Sequence, residues 1–96
     1  MCGICGKLQF NPEAQVDPQL LDRMMSAISH RGPDGRGNYQ SGPVGLGHTR
    51  LAIIDLNTGA QPISNEDQTV WIVFNGEIYN YPQLREELQQ KGHQFR

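Results

Sequence analysis

Basic residues are sparse in this 96-residue chain: eight Lys and Arg stand against ten Asp and Glu, for a formal charge of −2. They are scattered, and without a basic run there is no electrostatic reason to expect nucleic acid or an anionic membrane as partner. No apolar stretch approaches the roughly 20 residues that a membrane-spanning helix requires. Cysteine is almost missing, with only Cys2 and Cys5, and cysteines of a non-secreted chain mostly stay reduced. A short, glycine-rich N-terminus without a charged leader argues against a signal peptide, so a cytoplasmic location is the expectation. Repeats and low-complexity segments are also lacking. The length suits one small domain or a piece of a larger one, with limited burial and modest stability.

The residue pattern predicts a first strand over 2–10, ended by Asn11-Pro12. Asp17-Pro18 combines an N-cap acceptor with a first-turn proline. Leu20, Leu21, Met24, Met25 and Ile28 then recur at helical spacing, the mark of a helix burying one face. HRGPDGRGN, residues 30–38, holds three glycines and a proline and is expected to be a loop. Tyr39-Gln40 suits a short strand, and residues 41–43 a turn into a strand over 44–51. Residues 56–67 are polar and turn-rich, as in an ordered loop.

TVWIVF, residues 69–74, carries the strongest strand signal. Val70, Ile72 and Phe74 fall on one side and Trp71 and Val73 on the other, a pattern expected of a strand covered on both faces. Tyr81-Pro82 opens a second helix with Leu84 and Leu88 four apart, and Gly92 suits the position just past its end. Residues 93–96 read as a further strand just beginning, with no turn or cap, which suggests more chain. The order strand, helix, strands, helix implies a sheet layered with helices.

The opening MCGICG admits three readings. Cys2 and Cys5 are small buried hydrophobes of a strand, or half of a zinc or redox pair, or Cys2 is a nucleophile at a chain end. Structural zinc takes four ligands, and the remaining candidates, His30, His48 and His93, are irregularly spaced. In a strand, a separation of three residues sends the two side chains to opposite faces, which disfavours shared chelation or a disulfide; no metal is expected. In the third reading Met1 is removed and Cys2 bears a free α-amine with a pKa of about 8. That amine can act as base to its own thiol, and Gly3 allows close approach.

MCGI at the N-terminus, HRGPD at 30–34, GHTRLAIID at 47–55, GAQPI at 59–63 and FNGEIYNY at 74–81 together resemble the N-terminal glutaminase domain of the glutamine-hydrolysing asparagine synthetases. The resemblance runs through nearly the whole chain. It implies an α+β fold of the N-terminal-nucleophile hydrolase type, a four-layer αββα sandwich with antiparallel sheets, of which residues 1–96 form the front part. Cys2 matches the family nucleophile, which attacks the side-chain amide of glutamine and releases ammonia. Asn75 and Gly76 match the oxyanion hole; alone, Asn-Gly is a common turn. Arg50 matches the clamp on the α-carboxylate of glutamine, a role suited to its bidentate fork, although a structural ion pair is the usual fate of an arginine. Leu51, Ala52, Ile53 and Ile54 would form a wall of the glutamine pocket, and Ile53 and Ile54 are equally candidate core. Glu77 would line the same site, or serve as a first-turn carboxylate.

HRGPD is read mainly as an ordered loop near the site, with His30 structural and Arg31 and Asp34 forming an ion pair. His48 is read as structural, and Tyr79 and Tyr81 as packing residues. The family continues beyond residue 96 with an aspartate that binds the glutamine amino group. Its synthetase domain uses ATP and Mg2+ to activate aspartate; no cofactor is expected in the segment itself. A homodimer is the expected full-length state. Two alternatives stay open: a class II glutamine amidotransferase acting on another carboxylate, and a Cys/His metal-binding module.

Overall fold

The computed structural model describes residues 2–51 and 60–95. They form an α+β arrangement with two antiparallel sheets. Strand β1 (Gly3–Leu8), helix α1 (Pro18–Ala27) and a single 3-10 turn (Ser29–Arg31) lead into the hairpin β2 (Gly35–Ser41) and β3 (Val44–Arg50). Two short strands follow, β4 (Ile63–Ser64) and β5 (Trp71–Ile72), and then helix α2 (Tyr81–Gln90). The first sheet has the order β1-β3-β2, with Gly3 opposite Thr49 and Gly35 opposite Arg50; β4 pairs β5 with Ile63 opposite Ile72.

Helix α1 starts where its sequence directs. Asp17 is extended (φ −67°, ψ 121°), and its carboxylate accepts from the Gln19 N–H at 2.9 Å, with Pro18 in the first turn. The apolar stripe buries Leu21 and Met25, with Val16 beside them, each worth about 1.5–3 kcal/mol relative to exposure. They lie on the glycines of β3: a Cβ on Gly45 would meet Val16 at 2.9 Å, and one on Gly47 would meet Met25 at 2.8 Å and the Cys5 sulfur at 2.7 Å. Side chains on these strands alternate between faces, so Gly3, Cys5, Gly47 and Thr49 belong to the helix-covered face. Arg36 on β2 reinforces the contact, reaching Asp22 at 3.1 Å and Ser26 at 3.0 Å on α1.

The other face of this sheet receives the β4–β5 segment. Tyr39 stacks on Trp71 with ring centroids 4.2 Å apart and planes 13° from parallel. Residues 35–41 were expected to be mostly loop because of their glycines, but they form β2. Gly37 is part of the reason: a Cβ there would strike the Gln61 carbonyl, so a glycine within a strand here marks close backbone approach and not a break. The stacking order is therefore helix, sheet, sheet.

Several expectations do not hold in the second half. The strand predicted over 69–74 shortens to Trp71–Ile72, and Val70 and Ile72 are 62% and 52% exposed. Alternation tells which residues want cover, but the covering layer must come from elsewhere in space. Residues 93–95 form no strand. Tyr79 is 92% exposed and Tyr81 is exposed too, so neither packs as expected. Helix α2 itself is as read, and it ends in a Schellman motif: Gly92 has φ +97°, its N–H donates to the Gln89 carbonyl at 3.1 Å, and the His93 N–H reaches Leu88 at 3.0 Å.

His48 lies between the layers, opposite Ile4 on β1 and Gly37 on β2, and is 1% exposed. Its Nε2 has no hydrogen-bond partner among the described residues. Burial pushes its pKa below 6.5, and the positive charge of Arg50, two residues along the same strand, pushes in the same direction. The unfolded chain thus takes up a proton at a pH where the folded chain does not. The stability linked to this residue is fully present above about pH 6.5 and is lost as the pH falls, by at most about 1.4 kcal/mol per unit. Urea unfolding between about pH 8 and 5 should show this decline, and His48→Gln should flatten it; an unchanged slope would exclude His48 as its source.

Candidate active site

The N-terminus of β1 is anchored through the thiol of Cys2. Its sulfur accepts from the Leu51 N–H at 3.3 Å, and the thiol faces the Leu51 carbonyl at 3.8 Å. Leu51 directly follows β3, so the residue just before β1 is held to the residue just after its partner strand. Cys2 is half-buried and carries no disulfide, as does Cys5. By alternation Cys2 falls on the face of the sheet opposite to Cys5, which packs under α1 and whose pKa burial raises. The two cysteines are not joined by a disulfide.

Cys2 opens onto a cleft of about 170 Å³ whose described walls are Cys2, Gly3, Ile4, Ile28, Arg31 and Asn75. Three elements meet there: the start of β1, the end of α1 with its 3-10 turn, and the segment after β5. Asn75-Gly76 is not a hairpin turn; β5 has ended at Ile72, and α2 follows from Tyr81. The commonplace use of Asn-Gly is therefore absent here, and Asn75 is among the residues that line the cleft with Cys2. Gly76 lies against the Phe74 ring, where a Cβ would come within 3.0 Å of it. Glu77 is exposed.

Arg50 ends β3, half-buried, and its carbonyl accepts from the Asp34 N–H at 2.9 Å. It does not line the cleft among the described residues. Arg31, read from the sequence as part of a structural loop, does line it. Its signal in the sequence was its place within HRGPD, and what hid it was the role of the 3-10 turn (Ser29–Arg31), which swings that segment to the β1 terminus. Ala52, Ile53 and Ile54 lie outside the described residues. A larger open groove of about 950 Å³ runs between the second sheet and the end of α2, lined by Ile63, Trp71, Leu88 and Phe95 among others, but Cys2 and Asn75 are not part of it.

Cys2, Asn75 and Arg31 line one small cleft, and their functional groups are of the kinds that support attack on a carbonyl carbon, stabilisation of the resulting oxyanion and binding of an anionic group. A family model described as a glutamine amidotransferase domain matches residues 1–96. Asparagine synthetase [glutamine-hydrolyzing] 1 of Bacillus subtilis is 52% identical over 99% of the chain. The Arabidopsis thaliana protein of the same name is 44% identical over all of it, and a probable asparagine synthetase of Dictyostelium discoideum 46% identical. The chain spans only 15%, 16% and 17% of these three relatives' lengths.

Proposed function

Because this chain belongs to the glutamine amidotransferase domain family, we propose that it carries the ammonia-releasing half of a glutamine-dependent asparagine synthetase, with Cys2 as nucleophile. The observation that carries this reading is the cleft shared by Cys2, Asn75 and Arg31. Once Met1 is removed, the α-amine of Cys2 takes the thiol proton, directly or through a water. The thiolate sulfur then forms a bond to the amide carbon of glutamine, and the carbonyl oxygen becomes an oxyanion. The Asn75 side-chain N–H and the Gly76 N–H donate to it. Collapse breaks the carbon–nitrogen bond; the protonated amine returns its proton to the departing nitrogen and ammonia leaves. A water molecule, deprotonated by the same amine, cleaves the thioester to glutamate and the free thiol.

Arg50, Leu51, Ala52, Ile53, Ile54 and Glu77 complete the glutamine site in this reading, with Arg50 holding the α-carboxylate. Arg31, which lines the same cleft as Cys2, adds positive charge to it. The helix–sheet–sheet stacking supports the four-layer sandwich as the full domain's architecture. We assign ATP, Mg2+ and aspartate to a synthetase domain of the full-length protein, a cytoplasmic homodimer. No group of three or more His, Cys, Asp or Glu side chains among the described residues is gathered to hold a cation.

The reading is tested on the mature protein by mass spectrometry. The N-terminus should be Cys2, and a glutamine-analogue electrophile should label it in competition with glutamine. A mature protein that keeps Met1, or label found elsewhere, would sink the proposal.

A further inference from the structure

Gln61 makes a pair of hydrogen bonds that the catalytic scheme does not use. Its side-chain oxygen accepts from the Phe74 N–H at 2.6 Å, and its side-chain nitrogen donates to the Phe74 carbonyl at 2.9 Å. Phe74 offers one donor and one acceptor, so only this orientation of the amide satisfies both. The register of β4 and β5, with Ser64 opposite Trp71 and Ile63 opposite Ile72, extrapolates to Gln61 opposite Phe74. Between them Pro62 lacks an N–H and cannot continue the backbone ladder. The Gln61 amide thus takes over the ladder's role two pairs beyond its end, immediately before Asn75-Gly76.

The backbone of Gln61 lies against the other sheet. Its carbonyl presses on Gly37 so closely that no Cβ fits there, and Gly37 pairs with His48, which pairs with Ile4. Ile4 is two residues from Cys2 and lines the same cleft as Asn75. A short chain of contacts therefore runs from the strand that bears the thiol, through Gly37 and Gln61, to the residue before the oxyanion donors.

We propose that Gln61 is a positioning residue for the Asn75-Gly76 donor pair, setting its location relative to Cys2. The assignment rests on the amidotransferase reading above. Donors to an oxyanion act only when held at the distance the transition state demands, so loss of this clamp should appear in the chemical step and not in the thiol or in ground-state binding.

Gln61→Met keeps the length and removes both polar groups, while Gln61→Glu keeps the acceptor for the Phe74 N–H and loses the donor. In the full-length protein, Gln61→Met should lower kcat for glutamine hydrolysis by about tenfold or more, short of the loss from removing a donor outright. The KM for glutamine and the rate of Cys2 alkylation by iodoacetamide should stay near their original values. Gln61→Glu should fall between, and it decides the matter if Gln61→Met does not fold. An unchanged kcat, or hydrolysis and alkylation falling together, would overturn the assignment. If the unsubstituted protein alkylates at Cys2 but does not hydrolyse glutamine, the amidotransferase reading itself fails, and the assignment with it.

Discussion

Cys2→Ala is expected to remove glutamine hydrolysis from the full-length protein, by about 10⁴-fold or more, while synthesis driven by free ammonia persists. The methyl group cannot form the thioester, and the other cysteine is engaged elsewhere: Cys5 lies with Met25 against Gly47 under α1. The substitution removes one sulfur whose hydrogen-bond partner among the described residues is the Leu51 backbone, so the fold should tolerate it. Separate assays with glutamine and with ammonium salts check both halves of the expectation. Equal loss in the two would mean that Cys2 acts structurally, through its anchorage to Leu51. Cys5→Ala provides the contrast, with little effect on either assay.

Asn75→Ala should lower kcat for glutamine by about 10²–10³, the usual loss on deleting one oxyanion donor. Asn75 is half-buried at the cleft and follows Phe74, whose backbone is already fixed by Gln61. Truncation thus leaves the main chain, including the Gly76 N–H, where it was. The effect should appear in kcat and in kcat/KM together, since the interaction exists only in the transition state. Alkylation of Cys2 by iodoacetamide passes through no oxyanion and should proceed at its original rate. A rise in KM with kcat unchanged would make Asn75 a binding residue and not an oxyanion donor.

These expectations show which parts of the site were legible beforehand. Cys2 and Asn75 were each recognisable from their motifs, and the structure places both on one cleft. The places of Arg31 and Gln61 were not legible, because an arginine in a glycine-rich loop and a glutamine before a proline carry no local mark of what they reach. Arg50 kept its half-buried place at the end of β3, apart from the described walls of the cleft. Gly37 was misjudged for a related reason. Glycine in a run of glycines reads as a breaker, and only the Gln61 carbonyl lying against it shows that the missing side chain makes room for a second layer.

By itself the sequence determined what is local. Asp17-Pro18 and the leucine and methionine stripe specify α1, Gly92 specifies the end of α2, and three-residue spacing in a strand separates Cys2 from Cys5. These depend on hydrogen bonds and periodicities spanning a few residues. Tertiary structure alone decided that β2 and not a loop follows Pro33, that β5 is two residues long, and that Arg31 and Asn75 line one cleft with Cys2. Each of those outcomes depends on groups dozens of residues apart occupying the same small space. Chain order does not encode that meeting; backbone pairing and steric exclusion between layers do.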